Sequence, residues 1–212
     1  MVSLRLHVLG LVAAAGMLAA GCSEPASVLL SSDDGQVHLT VYGGMEPAKG
    51  LNDQASLQAA NLKRGLYAMV LSLPKDDGAT LITMDEQVRS NVQNSLINAT
   101  VTASKSLKIS GMDAMQFIAV GRPPDSTTTV TYLVTTVESA KGFHQVTAWA
   151  PSSEFDRVRA TLEKVVESFQ SADGPAQPPA PPRAPAAATN PPTQGGTTSG
   201  QPAGAASPQP SQ

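Results

Sequence analysis

Hydrophobic and polar positions alternate along this chain with two different periods. The segment Gln36-Val37-His38-Leu39-Thr40-Val41-Tyr42 alternates polar with apolar side chains, the two-residue period of a half-buried strand. It follows the turn signal Asp33-Asp34-Gly35, which predicts a hairpin, and Gly43-Gly44 closes it. A second strand pair is predicted over Ala55 to Leu62 and Leu66 to Leu73, broken at Lys63-Arg64-Gly65, with a loop from Pro74 to Gly78.

The period then changes. Met84, Val88, Val92 and Leu96 repeat every four residues and predict one apolar stripe on a helix. Thr83-Met84-Asp85-Glu86 has the form of a capping box at its start. Strands are predicted next over Ala99 to Ile109 (irregular), Ala114 to Val120 and Thr127 to Val137, the last rich in β-forming Thr, Val and Tyr. Ser139 to Gly142 reads as a turn, and Phe143 to Ala150 as a further strand ended by Pro151. Ser152 or Ser153 is then expected to cap a final helix. Its residues Phe155, Val158, Leu162, Val165, Val166 and Phe169 fall on a single face.

Because strands run together instead of alternating with helices, an α+β fold built on an antiparallel sheet is expected. Val130, Tyr132 and Val134 lie on one face of a late strand, and Leu133 and Val137 on the other. Both faces therefore need cover, which predicts helices on both sides, an α/β/α sandwich.

The first 21 residues do not belong to that domain. One cation, Arg5, precedes an apolar run from Val8 to Ala20. That run is too short for a membrane-spanning helix, which needs roughly 20 residues, but suits a signal peptide. It ends in Leu18-Ala19-Ala20-Gly21-Cys22, which resembles the bacterial lipobox, with Ala19 in the slot usually held by leucine. Cys22 is accordingly the expected lipidation site: its thiol would take a diacylglyceryl group, and its freed amine a third acyl chain. Several acyl chains meet the requirement for stable anchoring, which a single chain does not. Cys22 is also the sole cysteine, so no internal disulfide is available. Ser23, not Asp, follows it. By the sorting rule of enteric bacteria this favours the outer membrane, facing the periplasm, over the inner.

Composition marks the other boundary. Of the 17 prolines, 11 lie after Gly174, where Arg183 is the single charge and no apolar side chain exceeds alanine or proline. Such a segment has nothing to bury against the entropy of ordering. Runs such as Pro178-Pro179-Ala180-Pro181-Pro182 favour polyproline II. The expected organisation is thus a signal peptide at 1–21, a lipidated linker at 22–26, a folded domain at 27–171, and a disordered Pro/Ala-rich tail at 172–212. The tail is read as a spacer, or alternatively as an arm touching the cell-wall polymer. The roughly 145 residues of the domain suffice for a self-supporting core.

The chemistry legible in the sequence is sparse. The net charge of −3 argues against a nucleic-acid partner, which would call for a basic stripe. His38 and His144 lie on predicted strands without a second histidine at i+4 or a CxxC nearby, so neither has metal-site spacing. Both read as surface or hydrogen-bonded strand histidines. No G-x-S-x-G elbow is present, and a nucleophile would need a base and an orienting acid beside it. Asp33-Asp34, Asp76-Asp77 and Glu163 with Glu167 read as turns or solvated helix faces. Asp76-Asp77-Gly78 also lacks the twelve-residue calcium-loop pattern. Trp149, the single tryptophan, reads as core packing, and Pro123-Pro124-Asp125 as a loop tip. No catalytic, cofactor-binding or metal site is assigned.

Three segments carry a resemblance. Ile109-Ser110-Gly111-Met112-Asp113-Ala114-Met115-Gln116-Phe117, Val130-Thr131-Tyr132-Leu133-Val134 and Phe143-His144-Gln145-Val146-Thr147-Ala148-Trp149 look like the PsbP/DcrB group, whose fold is shared by a Ran-binding nuclear transport factor. Gln58-Ala59-Ala60-Asn61-Leu62 and Leu66-Tyr67-Ala68-Met69-Val70 also fit. Gly43-Gly44-Met45 departs from the proline, glycine and aromatic residue that the family tends to have there. These motifs are structural and speak to fold more than activity. The resemblance implies a non-enzymatic binding or assembly module, here anchored to a membrane and meeting an envelope protein. The alternative is a carrier holding a small apolar ligand between sheet and helices.

Overall fold

The computed structural model describes residues 27–175. The expected signal segment, the expected lipidation site Cys22 and the Pro/Ala-rich chain beyond Pro175 lie outside the described residues. In chain order the strands are β1 (Val28–Ser31), β2 (Val37–Val41), β3 (Glu46–Pro47), β4 (Leu57–Asn61) and β5 (Leu66–Pro74), followed by helix α1 (Leu81–Ser95). Then come β6 (Ile97–Val101), β7 (Lys105–Ile109), β8 (Met112–Arg122), β9 (Val130–Glu138), β10 (Gly142–Pro151), helix α2 (Ser152–Glu167) and β11 (Gln170–Ser171). No helix among the described residues is long and apolar enough to cross a membrane.

The predicted hairpin is β1–β2, paired antiparallel with Val28 opposite Val41. Its turn is held by Asp34, whose carboxylate accepts hydrogen bonds from the Ser32 hydroxyl and the Gln36 amide. Those bonds keep its carboxyl below the usual aspartate range. β11 adds to the far side of β2, making a small sheet. The main sheet is antiparallel, in the order β3-β4-β5-β10-β9-β8-β6, with β7 also on β8.

Both faces of this sheet are apolar, and each has its own cover. α2 turns Phe155, Val158, Leu162, Val165 and Val166 onto one face, together with Val37, Leu39 and Val41 of the small sheet. Beneath them Ala59, Ala68, Ala148 and Ala150 are fully buried, and their small side chains let helix and sheet approach closely. Leu133 and Val137 belong to this core, whereas Val134 and Tyr132, one position along β9, belong to the other. There Met84, Val88 and Val92 of α1, with Leu96 at its C-cap, close over Val101, Phe117 and Ala119. The structure is thus the expected α+β sandwich.

Four local expectations are corrected. α1 starts one turn earlier than predicted: Thr80 is the N-cap, and its hydroxyl and that of Thr83 each accept the other residue's backbone N–H. The box is therefore Thr80–Thr83, with threonine in the place of the usual glutamate. α2 has no side-chain cap. Pro151 occupies the N-cap, and the Ser152 hydroxyl bonds Thr131 instead. The irregular strand from Ala99 to Ile109 is two strands. Asn98 takes a left-handed backbone (φ 55°), the β6–β8 register shifts between Ile97 and Thr100, and residues 102–104 interrupt the run. The domain also runs past residue 171. Ala172 donates its amide to Gln36, Ala140 donates to Gly174, and Lys141 pairs with Asp173 at 2.6 Å. Composition could not place these three residues, because what holds them is bonding to turns distant in sequence.

The cap assignment is directly testable by urea unfolding. Thr80→Ala should lower stability by about 1 kcal/mol, whereas Ser153→Ala, at an exposed position without a cap bond, should stay within about 0.5 kcal/mol of wild type.

Candidate functional site

The two faces are not covered equally. Strand register aligns Glu46, Ala60, Tyr67, Trp149, Tyr132 and Ala119 in one row across six strands. Tyr132 and Ala119 belong to the cluster closed by α1, but Tyr67 and Trp149 fall outside it. The rings of Tyr67 and Trp149 stack with centroids 5.3 Å apart and planes 12° apart, and Tyr132 leans on the other side of Trp149 at 5.7 Å. All three rings are half-buried. Burial pushes the Tyr132 phenol above its ordinary range, so it stays a neutral hydrogen-bonding group. Trp149 is therefore neither a closed core residue, as its sequence context suggested, nor free in solvent: it is the middle of an aromatic row with one open side.

Beyond the row, the sheet edge is indented on both sides of β3. One cleft of about 610 Å3 is lined by Glu46, Lys49, Leu51, Ala60, Leu62 and Lys63. A second, of about 490 Å3, has Leu29, Asp33, Pro47, Lys49, Asp53 and Leu57 in its walls. Ala60 links the first cleft to the aromatic row.

The histidines are placed as hydrogen-bonded strand residues. His38 Nδ1 meets the Ser31 hydroxyl at 2.8 Å. His144 is buried, against Phe169, and stands in a relay that no sequence motif announced. The Ser56 hydroxyl donates to Ser72 (3.0 Å), and the Ser72 hydroxyl lies 3.2 Å from His144 Nδ1. His144 Nε2 lies 3.2 Å from the Ser139 hydroxyl, which donates to the Gly142 carbonyl. With its proton committed to that carbonyl, Ser139 can only accept from His144. The network therefore assigns the proton to Nε2 and leaves Nδ1 to accept from Ser72. The far nitrogen meets a hydroxyl rather than a carboxylate, which distinguishes the relay from an acid-oriented catalytic base. Its four polar residues come from positions 56, 72, 139 and 144 on different strands and turns, so linear spacing carries no sign of it.

Asp85 is a second buried polar group, 1% exposed. One carboxylate oxygen accepts from the Ser104 hydroxyl at 2.5 Å, tying α1 to the interruption between β6 and β7, while its other oxygen and Arg89 Nε lack hydrogen-bond partners. Desolvation raises its pKa, opposed by the Ser104 bond and the Arg89 charge. Elsewhere, Asp76-Asp77-Gly78 and Pro123-Pro124-Asp125 are turns, and Glu163 pairs with Arg159 one turn away on α2. Among the described residues no group of three or more His, Cys, Asp or Glu side chains is arranged to hold a metal.

Comparison with known proteins bears on the fold. Cyanobacterial PsbP (CyanoP) from Synechocystis sp. PCC 6803 superposes with a TM-score of 0.52 at 12% identity, over 71% of this chain and 95% of that one. The chain has the PsbP-like fold. LpqN of Mycobacterium tuberculosis, described as involved in cell envelope biogenesis, aligns over 68% of this chain and 90% of its own at 13% identity, with a TM-score of 0.49. The Saccharomyces cerevisiae Ran-binding protein Mog1p aligns over 70% and 97% at 14% identity, with a TM-score of 0.48. By sequence, no family model and no curated protein matches the chain. A PsbP-like fold at such identity fixes the scaffold and leaves activity to the surface.

The relay has a pH signature. Desolvation outweighs the nearby Asp173 charge and holds His144 below the ordinary histidine value of 6.5. The unfolded chain therefore binds more protons than the folded one in the window from 6.5 down to the lowered folded value. Stability should fall as pH drops through that window, by at most about 1.4 kcal/mol per pH unit. His144→Gln should remove this component, so the stability difference between wild type and variant should change across that window in a pH series of denaturant titrations. A difference that stays constant would show that His144 does not titrate there.

Proposed function

We propose that the protein is a membrane-anchored, non-enzymatic binding or assembly module of the cell envelope, held by lipid on Cys22 and engaging its partner through the aromatic row Tyr67–Trp149–Tyr132. The observation that carries this reading is the unequal cover of the sheet: one face is sealed by α2 and the small sheet, while α1 leaves a stacked Tyr–Trp pair half exposed. Aromatic side chains bury large areas at little conformational cost and dominate binding interfaces. The partner is read as an envelope protein, and the location as the outer membrane facing the periplasm.

The second reading, a carrier of a small apolar ligand, asks for a cavity of about 300–1,000 Å3 between sheet and helices. Two clefts of that size open instead at the β3 edge, with mixed polar walls, and a third of about 460 Å3 lies open to solvent among Tyr42, Lys164, Glu167 and Ser168. The cleft bounded by Gln116 and Ile118 of β8 and Arg159 of α2 measures about 140 Å3. The binding-module reading is therefore preferred.

Two measurements test it. Globomycin-sensitive processing and a mass shift matching a triacylated N-terminus should be present in wild type and absent in Cys22→Ala. Crosslinking in intact cells should capture one envelope protein with wild type and at least fivefold less with Trp149→Ala, whose domain should still fold because the ring is only half-buried. Equal capture by both forms would remove the aromatic row from the proposal.

A further inference from the structure

Six peptide steps join Cys22 to Val28, the first residue of β1. A fully extended chain spans at most about 3.3–3.6 Å per residue. If Cys22 carries lipid, Val28 therefore lies within roughly 20 Å of the bilayer surface. A domain of this size has a radius of gyration of about 15 Å, so the tether is short compared with the body it holds. The end of the domain carrying Val28 must stay beside the membrane.

What that end presents is unusual for this molecule. Four large hydrophobic side chains are exposed among the described residues: Val28 (38%), Leu29 (64%), Leu62 (77%) and Ile82 (61%). The first three are gathered at the tethered end. Val28 lies opposite Val41, and two residues on, the Gly43 carbonyl accepts hydrogen bonds from Asn61 and Arg64, each at 3.0 Å. Those bonds fasten the β4–β5 turn, with Leu62 at its tip, to the end of the β1–β2 hairpin. Gly43 makes the approach available: its backbone has φ +67°, and a side chain there would meet Leu66 and Thr161 at 3.0 and 3.1 Å. Lys49 and Lys63 are exposed and line one cleft with Leu62, and Lys49 also lines the neighbouring cleft with Leu29. Glu46, Asp33 and Asp53 line the same clefts, so the surface is not strongly cationic.

We propose that this end is a membrane-contacting face, on which Leu29 and Leu62 enter the boundary between headgroups and acyl chains while Lys49 and Lys63 extend their ammonium groups toward lipid phosphates. The occupant is the bilayer itself, because the tether brings that surface within reach whatever else is present. Apolar insertion drives the contact, and the lysines follow by burying their stems and keeping their charges in water. The domain is then oriented on the membrane instead of swinging about its anchor. This inference rests on the lipid anchor proposed at Cys22.

The single native cysteine makes the test selective, since lipid occupies Cys22 and an introduced thiol is the only one open to labelling. Full-length lipidated protein carrying Leu29→Cys, Leu62→Cys or Ile82→Cys would be nitroxide-labelled on vesicles of phosphatidylethanolamine and phosphatidylglycerol. The vesicles would be recovered by flotation and read by electron paramagnetic resonance for access to oxygen and to a water-soluble nickel chelate. Labels at 29 and 62 should be several-fold more accessible to oxygen than to nickel relative to the label at 82, which should report water. Nickel-accessible labels at all three positions on floated protein would overturn the face and leave the anchor standing. Labels at 29 and 62 that are immobilised without oxygen access would report contact between copies of the protein, and would also overturn it. Wild-type protein that fails to float would overturn the anchor first and the face with it.

Discussion

The constraint on which the rest of the structure depends is that β9 is apolar on both sides. Leu133 and Val137 must be buried against one layer, and Val134, with Tyr132 beside it, against another. A strand of this kind cannot sit at an edge or on a one-sided sheet without exposing a row of large side chains, so it demands a central position and two covers. β8 and β10 flank it and share the pattern: Phe117 and Ala119 point toward α1, while Val146 and Ala148 point toward α2. The other strands of the main sheet extend this centre sideways, and the remaining elements cover its faces. α2 and the small sheet serve one side, and α1 the opposite side, each through side chains spaced for a single helical face.

This is why so much of the architecture was legible in the sequence. Alternation along Val130 to Val137 exposes the two-sided demand. The stripes Met84–Leu96 and Phe155–Val166 expose the two helices that meet it. Local competition was harder to read. Thr80 and Thr83 form a capping box without an acid, and a search for Thr followed by Glu three residues later settles on Thr83 and Glu86, one turn too late. Ser152 and Ser153 have the chemistry of caps, but Pro151 already sets the backbone entering α2, and Thr131 on the neighbouring strand takes the Ser152 hydroxyl. At α2 the losing assignment was sound by local preference and was overridden by a partner that only the fold supplies. The Thr80–Thr83 pair, by contrast, is itself local and differs from the usual signature by lacking an acid.

The candidate site was less legible for the same reason. Tyr67, Trp149 and Tyr132 are far apart in sequence and meet only because β5, β10 and β9 are neighbours with one particular register. A one-residue slip of β10 would turn Trp149 to the α2 side, where the packing of small alanines has no room for it. The His144 relay is likewise a product of register, since Ser72 lies opposite His144 on β5 and Ser139 stands across the β9–β10 turn. Buried polar groups of this sort are stabilising only when every member is satisfied. The relay meets that condition at each hydroxyl and ring nitrogen, whereas Asp85, with one oxygen unpartnered, does not.

The unequal cover of the two faces then becomes intelligible as a division of labour. A sheet of seven strands in series is wider than one helix. α1, which enters after β5 and leaves into β6, can cross only the β8–β9 side of its face. A second helix would have sealed the remainder and removed the aromatic row from solvent. What precedes β5 instead is the pair of short strands β3 and β4, with turns that leave clefts at the edge. The same end receives the chain from its N-terminus, so the least covered part of the sheet borders the part that a tether would hold nearest to a membrane. Tyr67 follows Leu66, which pairs with Asn61 at the β4–β5 turn, and Trp149 lies two residues before the end of β10. With Cys22 lipidated as proposed, a partner docked on that row would be held close to the bilayer surface.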